Sequence, residues 1–202
     1  ATCLLLFIVN NKLICSNIGD SRCALFKCSQ NNKWSYINLS SVHRPETEEE
    51  KQRILMNGGE IHPLEKEEGG YLDDLPRIWV KGKKYPGLTV TRSIGDLVAK
   101  KIGVISTPTF ITKKVDKRSK FIILGSDGFW DIISPADIIS TIKPYLFLGD
   151  AASAAKALVS KAKSLWEKSM NERDDITVIV IFIFPNNIKK YDTDQNKEFN
   201  GK

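Results

Sequence analysis

Asp127 and Asp174 are the residues whose placement could carry chemistry. Asp127 follows the run Phe121-Ile122-Ile123-Leu124-Gly125-Ser126, and Asp174 stands just before the apolar run from Ile176 to Phe184. If the two runs are adjacent antiparallel strands, the end of one meets the start of the other. Both carboxylates then project from the same sheet edge. Carboxylates so close repel, and each tends to hold a proton unless a cation sits between them. Hard oxygen ligands with no His or Cys nearby suit Mg2+ or Mn2+ better than zinc. Asp20, in Gly19-Asp20-Ser21-Arg22, and Asp131, four residues after Asp127, are the next candidates. One turn of coil could bring Asp131 to the side of Asp127. Taken singly, each aspartate reads more simply as a turn or cap residue. The pairing at strand ends is what sets Asp127 and Asp174 apart.

No nucleophile constellation competes with these carboxylates. The chain has two histidines, His43 and His62. His43, in Val42-His43-Arg44-Pro45, reads as a local hydrogen-bonding residue, and His62, before Pro63, as a surface loop residue. A Ser-His-Asp or Cys-His device finds no support in the spacing, and there is no Gly-x-x-x-x-Gly-Lys phosphate loop. The four cysteines, Cys3, Cys15, Cys23 and Cys28, form no Cys-x-x-Cys pair, which argues against a zinc site. Cys3 and Cys15 read as buried free thiols. Such cysteines point to a reducing compartment, cytoplasmic or nuclear.

The elements that must position the aspartates follow from periodicity. Residues 4–9 and 13–18 are short apolar segments joined by Asn10-Asn11-Lys12, a hairpin signal. Further strands are expected at Cys23 to Cys28, Trp34 to Leu39, Thr107 to Thr112 and Phe121 to Gly125. Thr47-Glu48-Glu49-Glu50 has capping-box spacing and predicts a helix to about Asn57, stopped at Gly58-Gly59. Residues 62–87 mix Pro, Gly and charge around the apolar piece Arg77 to Val80 and read as an irregular excursion that holds substrate specificity. Ser134-Pro135-Ala136-Asp137 is a helix start, with a cap, a proline at the first position and an early acid. A longer helix should begin near Asp150 and bury Ala155, Leu158, Val159, Ala162, Leu165 and Trp166. The strand over 176–184, apolar on both faces, is expected to be central. The polar stretch 185–202 reads as a disordered tail.

Strands, then helices, then a final strand argue for one α+β layered domain. The 202 residues are 42% hydrophobic and 27% charged, ordinary for a globular chain. The longest apolar runs are too short to cross a bilayer. A formal charge of +6 invites a nucleic-acid reading, but the lysines are scattered and no helix carries a basic stripe. A solvated basic surface without nucleic acid is the better account. The chain opens on Ala1 and enters an apolar run at once, which reads as a cut inside a longer chain.

Four segments then stand in order: Asn17-Ile18-Gly19-Asp20-Ser21-Arg22, Gly87-Leu88-Thr89-Val90-Thr91-Arg92-Ser93-Ile94-Gly95-Asp96, Ser126-Asp127-Gly128-Phe129-Trp130-Asp131 and Arg173-Asp174-Asp175-Ile176-Thr177-Val178. Together they resemble the signature stretches of the metal-dependent (type 2C) protein phosphatases, over roughly residues 1–184. Arg77-Ile78-Trp79 and Tyr85-Pro86-Gly87 resemble variants found in plant and protist members. The resemblance implies a layered α-β-β-α sandwich of two antiparallel sheets flanked by helices, here with its N-terminal part missing. It implies Mg2+ or Mn2+ as cofactor and a phosphoprotein substrate. Asp127 and Asp174 would be ligands of the family's two-metal centre, and Asp127 with Asp20 and Asp131 would form its weaker third site. In that family a metal-activated water attacks phosphoserine or phosphothreonine, so no protein nucleophile is required.

The departures are specific. The family's Asp-Gly-His-Gly-Gly segment and its phosphate-gripping arginine have no counterpart in this sequence. Val42 stands where an acid usually precedes the His-Lys-Pro-like segment, and Asp175 where many members carry Asn. This stretch alone is therefore expected to be nearly inactive. The alternative is a non-catalytic pseudophosphatase that binds a partner. A chain lacking half of a two-sheet core should also expose apolar strands and self-associate.

Overall fold

Short apolar runs, buried on both faces at Arg22–Cys28 and Ser119–Gly125, build the central layers. The computed structural model describes residues 1–64, 75–169 and 174–184. In chain order the elements are β1 (Cys3–Val9), β2 (Lys12–Ile18), β3 (Arg22–Cys28), β4 (Trp34–Asn38), α1 (Glu48–Met56), β5 (Gly59–His62), β6 (Arg77–Val80) and β7 (Pro86–Leu88). They continue with α2 (Leu97–Lys100), β8 (Thr109–Lys114), β9 (Ser119–Gly125), α3 (Asp127–Trp130), α4 (Pro135–Leu148), α5 (Ala151–Ser169) and β10 (Val178–Phe182). The strands form an antiparallel sheet β1-β2-β8, a second sheet β10-β9-β3-β4 and a small sheet β5-β6-β7. This is the expected α+β layering.

Odd and even positions of β9 serve different cores. Ile122 and Leu124 join Leu13, Cys15, Cys23 and Leu25 between the two larger sheets. Phe121 and Ile123 point the other way, with Ala24 and Phe26, against Ile138 and Ile142 of α4 and Ala154, Leu158 and Ala162 of α5. Helix α4 starts as expected, the Ser134 hydroxyl accepting from the Asp137 N–H. Helix α5 buries a stripe centred on Ala154, Leu158 and Ala162, while Ala155 and Val159 lie at its margin.

Five expectations are corrected. The last strand is not central: among the described residues, β10 pairs with β9 alone, Val178 facing Gly125. Its two apolar faces have another cause. Ile181 and Ile183 enter the inter-sheet core, while Val178, Val180 and Phe182 pack beneath the helices. The capping box does not close, since Thr47 makes no side-chain cap. Glu50 turns inward instead, binding Arg53, Arg92 and the Thr91 hydroxyl, and two guanidinium partners outcompete one backbone N–H. The described part of the 62–87 excursion is ordered as β6 and β7, whose Ile78 packs on Ile54, Ala99 and Val104. His62 lies in that sheet, stacked on Trp79 at 5.2 Å. Cys3, near the start of an edge strand, is half-buried where full burial was expected, whereas Cys15 is buried. Residues 65–74, Arg173 and the polar tail 185–202 lie outside the described residues. Among the described residues no helix is long and apolar enough to cross a membrane.

Candidate metal centre

The register of β9 against β10 fixes where the principal carboxylates emerge. Gly125 ends β9 opposite Val178, and Ser126 then latches the two strands together. The Ser126 N–H donates to the Thr177 carbonyl at 3.1 Å, its hydroxyl donates to the Asp175 carbonyl at 2.9 Å, and the Thr177 N–H donates back to the hydroxyl at 3.0 Å. Asp127 follows as the first residue of α3, and Asp174 lies just ahead of the latched backbone.

Gly128 closes the approach. A Cβ at this position would lie 2.5 Å from the Asp175 carbonyl oxygen and 3.1 Å from the Asp174 Cβ. Only a glycine allows α3 to sit so near Asp174. Two tryptophans pin the short helix: the Trp130 indole donates to the Arg22 carbonyl at 2.9 Å, and that of Trp166 to the Gly128 carbonyl at 2.7 Å.

Asp131 caps α3, its N–H bonded to the Asp127 carbonyl at 2.9 Å, so one turn does carry it alongside. Asp20 arrives from the bend between β2 and β3. His43 holds that bend from across the fold. The Gly19 N–H donates to His43 Nδ1 at 3.1 Å, and the His43 N–H donates to the Gly19 carbonyl at 3.0 Å. With Nδ1 accepting, the ring proton sits on Nε2 and points at Thr109 Oγ1, 3.2 Å away. His43 is therefore a long-range tie and not the local one its sequence context suggested.

The four aspartates thus lie at one corner, at the end of the second sheet, in different electrostatic states. Burial, with the charges of Asp20 and Asp174, pushes the Asp127 carboxyl above its usual range. A nearby cation would relieve that strain. Asp20 and Asp131 are instead engaged by arginines: Arg44 bonds both, and Arg22 bonds Asp131. Neither arginine was singled out from the sequence as a site residue, because a basic residue beside a turn carries no signal of its target. Ser126 escaped notice for the same reason.

The donor chemistry at Asp127 and Asp174 suits Mg2+ or Mn2+: hard carboxylate oxygens, mutual repulsion only partly offset by Arg44 at 3.8 Å, and a close approach that Gly128 permits. Among the described residues no three His, Cys, Asp or Glu side chains converge to hold an ion. This stretch offers a pair of such donors and not a full coordination shell.

Stacked antiparallel sheets, one covered by helices, with aspartates gathered at one end, match the layering that the four sequence segments implied. The chain belongs to the protein phosphatase 2C family, whose family model matches residues 1–168. It is 30% identical over 175 residues to rice "Probable protein phosphatase 2C 73", covering 86% of this chain and 40% of that protein. It is 31% identical over 173 residues to Arabidopsis thaliana "Probable protein phosphatase 2C 72", covering 85% of this chain and 50% of that one. The solved serine-threonine phosphatase 2C from Toxoplasma gondii superposes with a TM-score of 0.75 at 24% identity, over 90% of this chain and 57% of that one, a likeness of fold. The chain therefore spans about half, or less, of the curated relatives it matches. The family is one of metal-dependent protein phosphatases.

Proposed function

We propose that this chain contributes Asp127 and Asp174 as ligands to a Mg2+ or Mn2+ centre that hydrolyses phosphoserine and phosphothreonine in proteins. The observation that carries the reading is the delivery of two carboxylates to one corner by the paired ends of β9 and β10, across a glycine, with the Asp127 carboxyl raised by burial and by the charges of Asp20 and Asp174. When bound, the metal would supply an acidified water and charge neutralisation for the phosphoryl oxygens. The chain's own residues do the positioning. Ser126 and Gly128 set the spacing of the two carboxylates, Trp130 and Trp166 hold α3, and His43 holds the bend that presents Asp20. The domain extends through β10 to Phe184, beyond the matched family region, since β10 completes the sheet that bears Asp127.

The centre needs donors beyond this pair, so the stretch alone is expected to turn over little substrate. The outer face of the β1-β2-β8 sheet, uncovered among the described residues, favours self-association, and four unpaired cysteines suit a reducing cytoplasmic or nuclear compartment. The test is hydrolysis of a phosphothreonine peptide in Mn2+, with a chelator control. It compares this chain with the same chain fused to a segment bearing the family's Asp-Gly-His-Gly-Gly stretch. Chelator-sensitive turnover should appear in the fusion and vanish in Asp127→Asn and Asp174→Asn. A folded fusion without metal-dependent turnover would sink the reading and leave a non-catalytic binding role.

A further inference from the structure

Arg44 separates the corner into two halves. Its Nε donates to Asp20 Oδ2 at 3.0 Å and its Nη2 to Asp131 Oδ2 at 2.8 Å, with the same nitrogen 3.0 Å from Asp20 Oδ2 and 3.8 Å from Asp127 Oδ2. Arg22 Nη2 takes the remaining oxygen of Asp131 at 2.7 Å. Both oxygens of Asp131 and one of Asp20 are thus held by guanidinium groups. Among the described residues, Asp127 and Asp174 receive hydrogen bonds only from the backbone N–H of the next residue, at 2.9 and 2.6 Å.

The backbone that delivers Arg44 is fixed on all sides. His43 is tied to Gly19 through both its ring and its N–H, and its carbonyl accepts from the Thr91 N–H at 2.9 Å. Asn17 Nδ2 donates to the Ser41 carbonyl at 2.7 Å, and Pro45 confines Arg44 to extended geometry. Arginine cannot lose its charge in water, and its planar fork of donors can serve several carboxylates at once. A divalent ion approaching Asp20 and Asp131 would have to break these charge-assisted bonds and settle beside a like charge.

We propose that Arg44 takes the place of the third cation in this chain. The Asp20–Asp131 half of the corner is then closed to a divalent ion while Arg44 is present, and metal loading is confined to the Asp127–Asp174 half. The inference rests on the phosphatase reading only in taking Asp127 and Asp174 as the ligands of that loading.

The test counts bound Mn2+ per chain, from the electron paramagnetic resonance signal of free Mn2+, with thermal unfolding in chelator and in Mn2+ alongside. The variants are Asp131→Asn, Arg44→Met, the two combined, and Asp127→Asn. Asp131→Asn should bind as many Mn2+ as the unaltered chain. Arg44→Met should bind one more, melt lower in chelator and gain more from Mn2+, and the added Asp131→Asn should remove the extra ion. A lower count in Asp131→Asn alone would overturn the proposal, as would a folded Arg44→Met with no added ion. If Arg44→Met does not fold, the comparison of Asp131→Asn with the unaltered chain decides. Asp127→Asn separates the two readings. Loss of all Mn2+ in that variant, with no gain from Arg44→Met, would sink the Arg44 proposal and spare the phosphatase reading. An Asp131-dependent gain in a chain that otherwise binds no Mn2+ would do the reverse.

Discussion

His43 has both ring nitrogens committed while almost fully buried, and this sets its response to acid. Burial, and then the charge of Arg92, lower its pKa from 6.5 to about 4. A proton on Nδ1 would also remove the acceptor that holds the Gly19 bend. Above pH 6.5 the ring is neutral whether folded or unfolded, and the full stabilisation is present. As pH falls from 6.5 to about 4, the unfolded chain takes up a proton that the folded chain refuses, so stability declines. The loss attributable to this residue is about 3 kcal/mol across that window. His43→Ala should cost roughly 2–4 kcal/mol at neutral pH, from the lost packing and the unpaired Gly19 N–H. It should also flatten the acid limb. Urea unfolding at several pH values checks both, and an equally steep limb in the variant would show that other groups govern it.

Gly128 makes the corresponding argument for an element. Helix α3 is a single turn, too short to be stable by itself, and its place depends on the absence of a side chain against Asp174 and Asp175. Gly128→Ala should push α3 away from β10 and weaken Mn2+ binding about tenfold to a hundredfold, as loss of ligand support commonly does. Calorimetric titration measures this, and unaltered affinity would mean that the close approach does not set the ligand spacing. Much at this scale was legible beforehand. Short apolar runs marked the strands of both large sheets, Ser134-Pro135 marked the start of α4, and the adjacent antiparallel pairing of the runs that flank Asp127 and Asp174 was expected. What escaped has a physical pattern. The sequence shows that β10 is apolar on both faces but not whether strands or helices pack against it. Capping-box spacing at Thr47 to Glu50 cannot reveal that Arg92, distant in sequence, captures the Glu50 carboxylate. Arg44 and Ser126 act through partners in other segments, which spacing along one segment does not encode.

Among the described residues, one large sheet is covered by helices on its outer face and the other is not. Helices α4 and α5 shield the outer face of the β10-β9-β3-β4 sheet. On the β1-β2-β8 sheet, Leu4 and Leu6 turn inward, whereas Leu5, Phe7, Val9 and Phe110 are each roughly half exposed or more. Leu5 faces Ser16, which faces Phe110, so these side chains form a patch across the sheet beside the open edge of β1. Such a patch and edge favour self-association. Sedimentation should show concentration-dependent oligomers that Phe7→Lys with Phe110→Lys disperses. A monomer at all concentrations would remove the expectation.

Strand β9 is flanked by β3 and β10, with Arg22 on one side and Val178 on the other both aligned to Gly125. Its partners come from nearly opposite ends of the chain. Leu13, Cys15, Cys23 and Leu25 of the inter-sheet core are near neighbours in sequence, but Ile122 and Leu124 of β9 join them only across a long stretch of chain. A large loop must close first, and the cost of that closure falls on the folding barrier and not on the final stability. The aspartate corner sits at the end of those same strands, so it is assembled only after the slowest pairing is complete. During synthesis on the ribosome the second edges of β2 and β3 must wait for β8 and β9, and in that interval they are open to chaperones and to other chains.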